Sequence, residues 1–231
     1  MSGLLVSVRS VEEAIDALKG GADLIDIKEP SLGSLGRAAD DVLLTVADAV
    51  AEARPMSAAL GEMSTIEPLP PRSFLGRARF VKCGLAGSAT QDWRTALHRI
   101  YSILADVAPN CRLAVAAYAD WRRAESPPLE DVCSFAIQHK LGGLLIDTWR
   151  KDGKHLLDWL PLTELAKVCH RCREAAVEIA LAGSLNHDKI NLLKPLQPDW
   201  FAVRGAACRT GNRSDVVDQE RVRTLKALLT D

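Results

Sequence analysis

The sequence predicts a single-domain α/β protein in which eight strand–helix units close into a (β/α)8 barrel, the TIM barrel architecture. Three observations carry this. Eight short β-branched or leucine-rich runs recur along the chain, their starts lie 20 to 35 residues apart, and the segments between them carry apolar residues at helical spacing. That distance accommodates one strand, one helix and two loops, and eight such units are the number that closes this barrel. A chain of 231 residues can enclose one large core without disulfide or metal staples. No linker interrupts it, so residues 1–231 are read as one domain.

The first run, Leu4–Val8, leads into a helix that Ser10 can cap. Glu13 completes a Ser-x-x-Glu box, Val11, Ala14, Ile15 and Leu18 form an apolar stripe, and Gly20 and Gly21 stop the helix. The second run, Leu24–Lys28, precedes a stripe of Val42, Leu43, Val46 and Val50. After the third, Met56–Leu60, the stretch from Glu62 to Arg79 carries three prolines and has room for only a short helix. The fourth, Phe80–Cys83, is followed by Trp93, Ala96, Leu97, Ile100 and Leu104 on one face. The fifth and sixth are Leu113–Ala117 and Leu144–Asp147, and Pro161 then opens a helix, where its missing N–H costs nothing. Glu178–Ala182 and Trp200–Val203 complete the set, with Val222, Leu225 and Leu228 on the last helix. The glycines of GGADLID and KLGGLLID read as helix C-caps entering strands.

Composition excludes several classes of function. Lys and Arg number 29 against 30 Asp and Glu, and aromatic residues are only 5%, so neither a basic footprint nor a base-stacking platform for nucleic acid is present. No apolar run approaches the roughly 18 residues of a membrane span, and Arg9 and two glutamates interrupt the start too early for a secretory signal. A cytoplasmic protein with no membrane partner is expected. The six cysteines are spread through the chain and read as reduced thiols. Cys169 and Cys172 form a CxxC in a helical stretch with no second pair at zinc-site spacing, and the histidines form no HxH or HExxH, so no metal is expected.

The informative residues are charges inside the strands. In DLIDIKEP, Ile25 and Ile27 share one face and Asp26 and Lys28 the other. If the isoleucines pack against helices, the two charges point into the barrel, roughly 7 Å apart near the strand's C-terminal end, where barrel enzymes keep their chemistry. In FVKCG, the same parity turns Phe80 and Lys82 inward. Asp147 closes the sixth strand, and Lys151 and Lys154 follow in the loop. Unpaired buried charges are too costly to accumulate without a use. Clustered, partly buried lysines have one: repulsion and desolvation lower an amine's pKa, and a neutral amine attacks a carbonyl to form a Schiff base. A second lysine can then remove the adjacent proton, with a carboxylate holding the charges, in class I aldolase-type chemistry that needs no metal or other cofactor.

Gly183 and Ser184 end the seventh strand, and Arg204, Gly205 and Ala206 end the eighth. Small residues let backbone N–H groups approach an anion, and these two loops are the usual phosphate site of the fold. Arg204 or Arg209 would add charge. A phosphorylated aldehyde is the expected ligand.

The segments LLVSVRSVEEAIDALKGGADLIDIKEPSLGSLG, FVKCGL, AAYAD, IDTWRKDGKHLLDWL, ALAGSL and VRGAACRTGNR resemble the motifs of the (5-formylfuran-3-yl)methyl phosphate synthase family, also called 4-(hydroxymethyl)-2-furancarboxaldehyde-phosphate synthase. The resemblance runs in order from Leu4 to about Arg213, and its most specific pieces are the DIKEP-GSLG block, the KDGK loop and the RGAACR block. It implies a TIM-barrel lyase that condenses two glyceraldehyde 3-phosphates into a furan aldehyde with one phosphomethyl group, towards methanofuran or methylofuran. It implies, further, that Lys28 is the Schiff-base lysine, that Lys82 is the proton acceptor, and that Asp26, Asp147 and Lys151 complete the pocket. Arg37 and Ala38 depart from the small or polar pair expected after GSLG, and Glu67 to Pro71 is stiffer than the family pattern. Two other readings remain: an aldolase of the deoxyribose-phosphate or transaldolase kind, which stops at the aldol, and a non-catalytic phosphosugar-binding barrel. A homo-oligomer is compatible with the sequence, which identifies no pairing face.

Overall fold

The computed structural model describes residues 1–65 and 68–230. Eight strands, β1 (Gly3–Val8), β2 (Leu24–Ile27), β3 (Met56–Glu62), β4 (Phe80–Gly84), β5 (Arg112–Tyr118), β6 (Gly143–Asp147), β7 (Glu178–Leu181) and β8 (Trp200–Val203), form a closed parallel barrel in chain order. Closure comes from β1 against β8, where Gly3 faces Trp200 and Leu5 faces Ala202. The helices are α1 (Val11–Gly20), α2 (Asp40–Val50), α3 (Arg72–Leu75), α4 (Trp93–Val107), α5 (Leu129–Gln138), α6 (Leu162–Glu174), α7 (His187–Leu193) and α8 (Gln219–Ala227). All eight predicted strands are present, and among the described residues of the proline-rich stretch the α-helix is the one-turn α3, as expected, with a 3-10 turn at Met63–Thr65 ahead of it. Glu67, the start of the stiff segment noted in the sequence, lies outside the described residues.

Outward strand residues such as Val6, Ile25, Ile27, Val81, Val115 and Ile146 pack with the helices in one continuous core. The interior is layered. Leu5, Leu24 and Phe80, with Trp200 against them, form an apolar floor at the N-terminal end. Above it the wall is built largely from alanines, Ala59, Ala116, Ala180, Ala182 and Ala202, where a filled barrel would use Val, Ile or Leu. Those missing methyl groups leave room for a cavity.

Four local expectations need correction. Strand β2 ends at Ile27 rather than Lys28, although the Lys28 N–H still donates to the Val8 carbonyl at 3.0 Å and continues the extended path. Helix α1 buries Ala14 and Ala17 while Ile15 is 37% exposed, because a helix pressed closely onto its neighbours turns its small residues inward. Ser10 caps α1 by accepting from the Glu13 N–H at 3.3 Å, but the Glu13 carboxylate does not return the bond to Ser10; it accepts from the Arg9 N–H at 2.9 Å and pairs elsewhere. Gly21 is the left-handed cap foreseen for α1, whereas after α5 it is Lys140 that takes the left-handed conformation and Gly142 and Gly143 that enter the sheet.

All six cysteines are buried and free. Among the described residues no helix is long and apolar enough to cross a membrane.

Candidate active site

Inward parity on alternate strands brings the predicted charges together. Lys82 on β4 places its Nζ 2.5 Å from Asp26 Oδ1 on β2, and both side chains are almost wholly buried. Asp26 is completed by two hydroxyls, Ser57 Oγ donating at 2.7 Å and Ser7 Oγ at 2.9 Å. On the other side, Lys151 donates to Asp147 Oδ1 at 2.6 Å and to the Thr148 carbonyl and hydroxyl at 2.7 and 3.1 Å. The Thr148 N–H donates to the same carboxylate at 2.7 Å. Burial opposes the charge on Asp147, but Lys151 and Lys28 outweigh it and hold the carboxyl below its usual range.

Lys28 lies between these two ion pairs and is treated differently. The only hydrogen bond of its side chain among the described residues goes to the Ser34 carbonyl, at 3.2 Å. Burial pulls its pKa from 10.5 down to about 7, against the attraction of Asp147 and Asp26 and with the help of Lys82 and Lys151. Two lysines thus have direct carboxylate partners, while the third can lose its proton near neutrality.

The loop after β2 makes this possible. Gly36 accepts from the Glu29 N–H at 2.9 Å, and a Cβ at Gly36 would come within 2.1 Å of the Glu29 carbonyl oxygen. Only glycine fits there, so the GSLG turn folds back and presents Ser34. Its hydroxyl donates to the Thr148 and Trp149 carbonyls at 2.9 and 2.8 Å, tying the β2 loop to the β6 loop.

A cavity of about 800 Å3 opens at the C-terminal ends of the strands. Asp26, Lys28, Lys82, Asp147, Lys151, Gly183, Ser184, Arg204, Gly205 and Ala206 all line it. Gly183 and Ser184 both have positive φ, 95° and 53°, and Gly183 packs so that a Cβ would lie 3.1 Å from Thr148 Cγ2. Lys154 is exposed and sits over the Trp159 ring instead of entering the cavity. Arg209 is also exposed and outside it.

Arg204, expected to bring charge to a phosphate, is committed to the protein. Its guanidinium pairs with both Glu13 oxygens and donates to the Ser7, Arg213 and Asp215 carbonyls, so all five N–H groups are engaged. A cation absent from the sequence expectations, Arg213, lines the cavity as well.

Sequence reasoning missed other residues for identifiable reasons. Ser7 and Ser57 sit at inward parity and were readable as such. Glu62 was not: plain alternation after Ser57 and Ala59 turns it outward, but an irregularity in the β3–β4 register between Ala59 and Glu62 re-aims it. Its carboxylate accepts from Tyr118 Oη at 2.5 Å and the Ala86 N–H at 2.7 Å. Burial raises its pKa, and the nearby charge of Asp147 adds to that against these two donors. Among the described residues no group of His, Cys, Asp and Glu is arranged to hold a metal ion.

Solved structures share the fold at low identity. A thiamine phosphate pyrophosphorylase from Pyrococcus furiosus is similar with a TM-score of 0.63 and 14% identity, over 99% of this chain and 95% of that one. A 3-hexulose-6-phosphate synthase is similar at 0.58 and 16%, over 98% and 99%. Sequence relatives are nearer. A (5-formylfuran-3-yl)methyl phosphate synthase from Methanopyrus kandleri is 34% identical over 91% of both chains, and those of Methanosarcina barkeri and Methanocaldococcus jannaschii are each 32% identical, over 97% of this chain and 97% and 98% of theirs. With residues 4–226 also matched by the family model described as 4-HFC-P synthase, this chain belongs to the 4-HFC-P synthase family of enzymes.

Proposed function

We propose that the protein condenses two molecules of glyceraldehyde 3-phosphate into (5-formylfuran-3-yl)methyl phosphate, through a Schiff base on Lys28. The observation that carries this reading is the unequal treatment of three lysines in one cavity. Lys82 and Lys151 have carboxylate partners at 2.5 and 2.6 Å, and Lys28 has none at that distance and a pKa of about 7. A neutral amine at the end of a barrel strand is a nucleophile for an aldehyde, and the resulting iminium acidifies the neighbouring C–H. The name of the relatives supplies the product, and atom balance is consistent with it: two triose phosphates less one phosphate and two waters give the furan aldehyde phosphate.

In the proposed sequence Lys28 captures one aldehyde with loss of water. Asp26 takes a proton from Lys82 across their 2.5 Å contact, the neutral Lys82 amine so formed accepts the α-proton, and an enamine forms. The enamine carbon attacks the second aldehyde. Lys151, held by Asp147 and Thr148, supplies a proton to the alkoxide that develops there. Loss of phosphate and water, ring closure and hydrolysis of the imine release the aromatic product, whose formation makes the sequence hard to reverse.

Purified protein incubated with glyceraldehyde 3-phosphate alone, then reduced with borohydride, tests the reading by mass spectrometry. The furan aldehyde phosphate and a reduced adduct on Lys28 are the expected results, and K28A should yield neither while keeping its fold. An adduct without furan would replace the reading with a simple aldolase, and the absence of both would remove the Schiff-base mechanism.

A further inference from the structure

The family reading requires two phosphorylated aldehydes in one cavity, and their dianionic groups repel unless held apart. The loops after β7 and β8 provide one corner, built from the backbone at Gly183, Ser184, Gly205 and Ala206. The Arg213 backbone packs against Gly205 of that corner, but its side chain is carried away from it. Arg213 leaves the β8 loop, crosses to the β2 loop and donates from Nη2 to the Gly33 carbonyl at 2.8 Å, one residue from the Ser34 carbonyl that holds Lys28.

Among the described residues, no carboxylate lies within ion-pairing distance of Arg213, in contrast to Lys82, Lys151 and Arg204. Among the described residues its Nε and Nη1 make no hydrogen bond and are not sealed from solvent, and the residue lines the cavity. Part of the side chain is buried and burial draws its pKa down, with Arg204 adding repulsion against the pull of Asp147 and Glu29. A partly buried guanidinium on the cavity lining, with donors left free, is suited to take a phosphate in bidentate fashion.

The arginine is also aimed from below. Arg204 donates from Nε to the Arg213 carbonyl at 2.9 Å and from Nη2 to the Asp215 carbonyl at 2.8 Å, while its other donors are fastened to Glu13 and Ser7. A buried ion pair thus grips the loop on both sides of Ser214 and fixes the backbone from which Arg213 projects. We propose that Arg213 is a second phosphate-binding position of the cavity, taking the phosphate of the aldehyde that is not attached to Lys28, and that Arg204 with Glu13 is its positioning pair. This rests on the two-substrate reading above.

Two readouts separate the proposal from that reading. Titration of the intact protein with inorganic phosphate at low ionic strength, followed by calorimetry, should show two binding steps in the wild type and one in R213A, with R213K recovering part of the second. In turnover of glyceraldehyde 3-phosphate, R213A should lose far more product than Lys28 adduct, with KM raised roughly 10- to 100-fold, as expected for a lost charge-assisted contact. R204K should reproduce the KM change and add little to it in the double variant with R213A. E13Q provides the same comparison if R204K does not fold. Identical phosphate titrations for wild type and R213A would overturn the second position whether or not furan forms. Additive losses in the double variant would overturn the positioning role. If the wild type makes no furan but R213A loses a phosphate step, the reaction reading fails and the phosphate position stands.

Discussion

At the scale of single residues, the chemistry depends on which lysine goes without a carboxylate. The amine of Lys28 has to be neutral to attack, so imine formation should rise with pH through about 7 and level off above it; a rate that stays flat between pH 6 and 8 would contradict the assignment. The same shift acts on stability. Between about pH 7 and 10.5 the unfolded chain keeps a proton on Lys28 that the folded chain has released, so folding becomes more favourable as pH rises across that window. Below pH 7 the folded state bears the full cost of charging the buried amine. Replacing Lys28 by Met removes this cost, so the gain in Tm of K28M over wild type should be largest below pH 7 and fade towards pH 10.5. Asp26 presents the opposite case. In D26N, Lys82 loses its only carboxylate within 4.0 Å among the described residues, and denaturation should show a loss of several kcal/mol, on the order of 3–5 for a broken buried pair.

At the scale of elements, strands and loops differ in what could be read from them. Parity along β2 and β4 was enough to bring Asp26, Lys28 and Lys82 to one interior, because side-chain alternation has no freedom once one face is committed to the helices. The same logic failed at Glu62, where an irregular register breaks alternation, and at Glu13, which looks like a capping residue in its own helix and meets its partner 191 positions away. Loop contacts such as Ser34 to Thr148, 114 positions apart, follow no periodicity and were visible only as part of a family motif. Their importance is testable. S34A removes the tie between the β2 and β6 loops without touching the carbonyl that receives Lys28, so kcat should fall while the Lys28 adduct still forms. G36A, which forces a Cβ against the Glu29 carbonyl, should displace the turn and reduce both, with circular dichroism near wild type.

For the whole molecule, closure is a matter of joining the two ends of the chain. β1 pairs with β8, Lys226 on α8 reaches Asp23 at 2.7 Å, and the Glu13–Arg204 pair links α1 to the end of β8. E13A leaves a buried guanidinium unpaired, and chemical denaturation should report a loss of about 3–5 kcal/mol, appearing as a lower midpoint in a single cooperative transition. The eight-unit plan was evident from run spacing and helical stripes, but these staples were not, since each joins residues whose local roles are already accounted for.

The apolar floor has a consequence for traffic. Leu5, Leu24, Phe80 and Trp200 fill the barrel beneath Lys82, around a small pocket of about 30 Å3, and the guanidinium of Arg79, whose side chain also reaches Glu178 at 2.7 Å, lies over the Trp200 ring. Among the described residues this floor closes the lower end of the barrel, so in the proposed reaction substrates and by-products would share the upper opening, and a by-product formed deep in the chamber would queue behind anything still attached nearer the rim.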